Sequence, residues 1–325
     1  MRRTVAVRVA LIAMAAGGML AASQAWAQQY PDRAIELVVP YGAGGASDII
    51  ARTVGAKLSE AWNVPVTIIN TVGAGGTIAG RAVAGAEPDG YTLLIDSSAI
   101  TQNFSLLRDF PYDLRKDLTP VIQLVSMPFV VAVNPTIEAN DLGALVEYAR
   151  ANPDTFNVAV SGTAGRINAE LFKLQAELEE LTFIPYNGSA PALAAVAANE
   201  AQVSFSDITS SMAQIQGGAI RPLAVTSVER APQLPDVPTA RESGLEDYVV
   251  TLWQGIFVPA GTDAAIVEKL NAELNSILTD PEVLEKLGAL GATTAPNTPA
   301  EFNETVLSNI DRWAALISEA GIEQQ

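Results

Sequence analysis

The chain has 325 residues, 36 acids against 19 lysines and arginines, and a net charge of −17. Such acidity argues against nucleic acid or an anionic membrane surface as a partner. Cysteine and histidine are both absent, which excludes disulfides, Ser-His-Asp and Cys-His catalysis and histidine-containing metal sites.

Residues 1–27 read as a secretory signal. Arg2, Arg3 and Arg8 form its positive end, Val9 to Leu20 an apolar and small-residue core, and Ala25-Trp26-Ala27 the cleavage site. Removal of these 27 residues, with three arginines and no acids, leaves 298 residues and a net charge of −20. No later stretch is apolar for long enough to span a membrane. The remaining length suits two domains, each with its own core.

Ile35-Glu36-Leu37-Val38-Val39 is a short β-branched run that predicts a strand. Tyr41-Gly42-Ala43-Gly44-Gly45-Ala46-Ser47-Asp48 follows, and Ile49 to Leu58 has the pattern of an amphipathic helix. The glycines therefore lie on a strand–loop–helix joint, where unpaired N–H groups and the helix dipole suit an anion. The theme recurs at Val66 to Asn70, the loop Thr71-Val72-Gly73-Ala74-Gly75-Gly76-Thr77, and a helix to Ala86. Neither loop has the Gly-Lys-Ser/Thr ending of a phosphate loop or the Gly-x-Gly-x-x-Gly spacing of a dinucleotide site. No pattern calls for a cofactor or a metal. Either loop can equally be a plain tight turn.

Tyr91 to Ile95 predicts a buried strand that ends in Asp96-Ser97-Ser98-Ala99, whose hydroxyls suit a helix cap or a ligand. Residues 111–120 read as surface connection, and Phe129 to Val133 as a strand. Asp141 to Arg150 is helical. Asn157 to Val160 runs into Ser161-Gly162-Thr163-Ala164-Gly165-Arg166, with a helix expected from Ile167 to Leu178. Phe183 to Tyr186 enters Asn187-Gly188-Ser189-Ala190-Pro191, with Ser189 as expected cap of a helix from Ala192 to Ala198. Further strands are expected at 202–206, 222–225 and 252–258, and helices at 263–277, 281–290 and 299–320. Alternation of this kind predicts an α/β fold: a parallel-rich sheet flanked by helices in each of two lobes. Residues 28–126 with 251–325 are expected to form lobe 1 and residues 127–250 lobe 2, with the three closing helices on lobe 1. Two crossovers then make a hinge, and the glycine loops line the cleft.

A set of motifs spread over the whole mature chain carries a resemblance. They are Tyr30-Pro31, Val38-Val39-Pro40 with Gly44-Gly45 and Asp48, Gly73-Ala74-Gly75-Gly76, and Pro88-Asp89-Gly90-Tyr91-Thr92-Leu93-Leu94. Phe110-Pro111-Tyr112-Asp113, Pro185-Tyr186 with Gly188-Ser189-Ala190-Pro191, and Leu223-Ala224-Val225-Thr226 come next. Leu234-Pro235-Asp236-Val237-Pro238-Thr239 and Pro259-Ala260-Gly261-Thr262 complete it. In order and spacing these resemble the Bug-type solute-binding proteins, periplasmic receptors of the tripartite tricarboxylate transporters.

The resemblance implies a two-lobed flytrap without catalytic activity. It would hold a small carboxylate by backbone N–H groups, hydroxyls and bridging water, and hand it to membrane permease subunits. It also implies a monomer. Site residues carried over are Tyr41, Gly42, Gly44, Gly45, Asp48, Gly75, Gly76 and Ser97 in one lobe, and Gly162, Thr163, Tyr186 and Asp207 in the other. Asp48 can instead serve the helix alone, as a first-turn acid. Two positions depart from the family pattern. Gly42-Ala43 replace two prolines, and Arg166 stands where histidine is common. The Arg166 guanidinium can grip a second carboxylate, or be a solvated arginine or a cross-lobe ion pair. Two further readings stand beside the receptor: a sensor that signals ligand occupancy, and a periplasmic enzyme with Asp48 or Asp207 as base.

Overall fold

The computed structural model describes residues 30–178, 181–186, 188–319 and 324, without the side chains of 162–164. The expected signal segment lies outside the described residues. The strands are β1 (Ile35–Val39), β2 (Val66–Asn70), β3 (Thr92–Ser97), β4 (Leu118–Val133), β5 (Asn157–Ser161), β6 (Thr182–Tyr186), β7 (Val203–Asp207), β8 (Arg221–Val225), β9 (Thr251–Pro259) and β10 (Thr293–Thr294). The helices are α1 (Ala46–Trp62), α2 (Thr77–Ala84), α3 (Ala99–Leu106), α4 (Leu142–Ala151) and α5 (Gly162–Gln175). They continue with α6 (Ser189–Ala197), α7 (Ile208–Gln216), α8 (Ala264–Ile277), α9 (Pro281–Ala289) and α10 (Pro299–Glu319).

The strands form one path in the order β2-β1-β3-β9-β4-β7-β5-β6, with β8 and β10 also on β4. Its first half is parallel through β2, β1 and β3, then antiparallel through β9, β4 and β10. The second half repeats the scheme, with β6, β5 and β7 parallel and β4 and β8 antiparallel. β4 is the member common to both.

Side-chain alternation puts a core on each face of each half. In the first half, Leu37, Leu93 and Ile256 face α1 and α8, and Val38, Leu94 and Phe257 face α2 and α10. In the second, Val131, Val158 and Phe205 face α4 and α5, while Val130, Ala159 and Val225 face α6 and α7.

Four expectations change. The strand expected at Phe129 to Val133 begins at Leu118, inside the stretch read as surface connection, and runs for 16 residues as β4. Pro120 and Gln123 interrupt its apolar row, and the register slips at both places. The helix expected from Ile167 begins at Gly162, so the expected loop is its first turn. The cap of α6 is Gly188, because the Ser189 hydroxyl turns to Asp207. Helix α10 does not stop at the first half: Phe302, Val306 and Ile310 pack there, but Trp313 and Leu316 join the second core.

Candidate ligand-binding site

The strand register brings the two sets of loops together. Ser97, the last residue of β3, pairs with Gln254 on β9, which pairs with Val125 on β4. Asp207, the last residue of β7, pairs with Phe129 of the same β4. β4 runs in the sense of β1–β3 and against β5–β7. The carboxyl ends of both parallel sets therefore face each other across the stretch from Val125 to Phe129, four residue steps or about 13 Å at about 3.3 Å per residue.

Helices leave those ends with their N-termini open. α1 and α2 start from Gly45 and Gly76, α5 from Ser161 and α6 from Gly188, and none has a side-chain cap; α3 starts from Ser98, and its first N–H donates to Ser97 Oγ at 3.4 Å. By contrast, Asp141, Asp263 and Asp280 cap α4, α8 and α9. Open N-termini leave N–H groups and positive dipole ends for an acceptor. The exception on the cleft side is α7, capped by Asp207.

Asp48 organises the first loop. It is 2% exposed. Its carboxylate accepts from the Gly44 N–H and Arg52 Nε, each at 2.9 Å, and from Asn70 Nδ2 at 3.0 Å. Asn70 Nδ2 also donates to the Tyr41 carbonyl at 3.0 Å, so the loop after β1 is tied to the end of β2. The Arg52 guanidinium, with the Gly44 and Asn70 bonds behind it, holds the Asp48 carboxyl at about 2. Gly42 and Gly45 flank this tie, and Gly44 has φ +84°. In the second loop, Asn103 Nδ2 donates to the Gly75 carbonyl at 3.0 Å. Gly76 has φ +97°, and a Cβ there would lie 3.2 Å from Pro40 Cβ and 3.7 Å from Asp96 Oδ2.

Between these loops stand Tyr41, Asp96 and Ser97. The Tyr41 hydroxyl lies 2.9 Å from Ser97 Oγ and 3.3 Å from Asp96 Oδ1, which also accepts from the Ser97 N–H at 2.7 Å. Burial pushes the Asp96 carboxyl up to about 7, against the pull of the Ser97 N–H and the Tyr41 hydroxyl. The Tyr41 phenol is raised, first by burial and then by Asp96.

In the second half, Gly162 and Thr163 form the first turn of α5 at the end of β5. Tyr186 ends β6 and packs half-buried on the core beneath α6. Asp207 accepts from the Ser210 N–H at 2.8 Å and from the hydroxyls of Ser189 and Ser210, each at 2.9 Å. It joins two loops as well as capping α7. Arg166 turns back along α5: Nε donates to Glu170 Oε1 at 2.9 Å, and the guanidinium lies 4.1 Å over the Phe183 ring. Phe183 is three residues before the cleft end of β6, about 10 Å down the strand. Trp253 lies in the core, 1% exposed, against Phe257 and Phe302. No group of three or more potential metal ligands occurs among the described residues.

Comparison with known proteins places this geometry. The model of the tripartite tricarboxylate transporter family receptor matches residues 50–322. The chain belongs to this family. This receptor is similar to the protein BugT of Bordetella pertussis, 33% identical over 299 residues that cover 91% of each chain. Among solved structures it is similar to MatC from Rhodopseudomonas palustris with bound malate: TM-score 0.69, 32% identity, 89% of this chain and 100% of that one. It is also similar to an R. palustris protein with adipate: TM-score 0.73, 33% identity, 91% of this chain and 99% of that one. The two-lobed fold of the receptor is that of the periplasmic binding proteins, as its similarity to the solved periplasmic binding protein BugD shows: TM-score 0.70, 32% identity, 91% of this chain and 100% of that one.

Sequence reasoning did not single out Asn70, Asp96 or Gln254. Each is a polar residue at or near the cleft end of an apolar strand, and period-2 alternation puts Gln254 in the row of Leu252, Ile256 and Val258. That mismatch was the signal available.

Proposed function

We propose that this receptor captures one small carboxylate between its lobes and delivers it to the membrane permease subunits of a tripartite tricarboxylate-type transporter, with no catalysis of its own. It does so as a periplasmic monomer after loss of residues 1–27. Lobe 1 comprises 28–126 and 251–325, and lobe 2 comprises 127–250. One observation carries the reading: four helix N-termini without side-chain caps lie at strand ends that face each other across a short span of β4.

The chain is strongly acidic, so an anion is drawn in by local dipoles against the overall field. Arg52 is spent on Asp48 and Arg166 on Glu170, which leaves N–H groups and hydroxyls as the donors. Malate and adipate, the ligands of two similar proteins, belong to the class such a span accommodates. The proposed ligand contacts are the N–H groups of Gly42 and Gly75 and the hydroxyls of Tyr41 and Ser97, while the N–H groups of Gly44, Gly45 and Gly76 donate to Asp48, the Gly42 carbonyl and the Gly73 carbonyl and shape the loops around the ligand. Gly162, Thr163 and Tyr186 face them, with Asp48 and Asp207 holding the loops in shape. A ligand touching both sets stabilises the closed state, which is the form a permease reads.

A thermal-shift screen of residues 28–325 against malate, succinate, adipate and citrate, with glucose and glycerol as controls, tests this. At a hundred times its dissociation constant a ligand adds about 2.7 kcal/mol of stability. Shifts confined to the acids support the reading; shifts confined to the neutral solutes, or none, overturn it.

A further inference from the structure

Gln254 is a polar residue that the site so far leaves without a task. It is 4% exposed, and its buried amide oxygen has no hydrogen-bond partner among the described residues. Its row on β9 is otherwise apolar: Leu252, Ile256 and Val258 point the same way into the core. A buried amide oxygen without a partner is costly, so its presence in that row requires an account.

Its position supplies one. Gln254 is the cross-strand partner of Ser97, and paired residues project to the same face about 5 Å apart. Ser97 Oγ is 2.9 Å from the Tyr41 hydroxyl. The amide thus lies beside a hydroxyl pair contributed by the first glycine loop and the end of β3. It stands at the level where β3 stops and the gap between the lobes begins.

Resting on the carboxylate-receptor reading, we propose that Gln254 selects among carboxylates by engaging a hydrogen-bond donor substituent on the ligand's carbon chain. A carboxamide offers one acceptor and two N–H donors. An ionised carboxylate only accepts, so an unsubstituted diacid satisfies the N–H end and leaves the oxygen unpaired. A diacid that also carries a hydroxyl or an ammonium group satisfies both ends. A site built to hydrogen-bond a substituent rejects the analogue that lacks it, because its own polar atoms are left unpaired.

The test uses three acids with one carbon skeleton: succinate, L-malate and L-aspartate. Their affinities are measured by titration calorimetry for residues 28–325, with and without Gln254→Met, which keeps length and removes both polar ends. The wild type is expected to prefer malate or aspartate over succinate by at least about tenfold, and which of the two it prefers identifies hydroxyl or ammonium. In Gln254→Met the preference shrinks to within about threefold, while the urea midpoint equals or exceeds that of the wild type. A purely structural role would weaken all three acids by one factor and preserve the ratio; that result overturns the proposal. So does equal binding of all three by the wild type, which leaves the receptor reading standing. Failure of carboxylates of every kind to bind overturns both.

Discussion

Asp48→Ala removes the acceptor around which the first glycine loop is built. Three donors lose their partner: the Gly44 N–H, Asn70 Nδ2 and Arg52 Nε. The Arg52 side chain is 53% exposed, so that ion pair contributes little, at most about 1 kcal/mol. The other two donors lie against a carboxylate 3% exposed, and each buried donor left unpaired costs about 1–3 kcal/mol. Water reaches the loop side of Gly44, which favours the lower end and gives a loss of about 2–4 kcal/mol. Urea unfolding of residues 28–325 at pH 7 reads it as a lower midpoint with an unchanged slope. The pH dependence has a definite sign. Asp48 titrates below its ordinary value of 3.8, at about 2, so its stabilisation is complete above 3.8 and is lost as the pH falls through about 2. The gap between wild type and variant must therefore narrow in that window. Malate affinity should fall by about tenfold, because the untied loop has to be ordered on binding. A loss of stability under about 0.5 kcal/mol, or a gap independent of pH, would refute this account of the loop.

Gly76→Ala puts a side chain at φ +97° and a methyl 3.2 Å from Pro40 Cβ; it should cost about 1–2 kcal/mol in urea unfolding and weaken carboxylate binding in calorimetry. Asp96 shows the opposite linkage from Asp48. Its carboxyl is raised from 3.8 to about 7, so the folded state loses stability as pH rises between those values, by at most about 4 kcal/mol. In Asp96→Asn that fall between pH 4 and 8 should disappear from a series of urea midpoints. Trp313→Ala opens the second core from the last turns of α10, where Trp313 is 2% exposed, and should cost about 3–5 kcal/mol in the same assay.

The sheet was legible where one strand is one apolar run. Ile35–Val39 and Val66–Asn70 stand in the structure with the ends their sequence predicts. β4 was only half legible, because a strand that changes partners and carries Pro120, Gln123 and Pro128 does not alternate cleanly. The glycine loops could be placed at helix starts, since glycine, backbone turn and open N–H groups are local properties. What a side chain bonds across the fold is not local. Asp48 reaches Asn70 and Ser189 reaches Asp207 through register between strands, and neither contact leaves a pattern in the intervening sequence. α5 begins early for a related reason: Gly162-Thr163-Ala164-Gly165 looks like loop by propensity, yet it closes the first turn at the end of β5.

The central claim is that backbone dipoles of both lobes hold the ligand carboxylate. A crystal structure of residues 28–325 with malate, or with whichever acid gives the largest thermal shift, tests it most directly. The account predicts carboxylate oxygens within about 2.7–3.2 Å of N–H groups at the starts of α1 or α2 and of α5 or α6, in one closed cleft. A ligand held by lysine or arginine side chains, or lodged away from the strand ends, would contradict it.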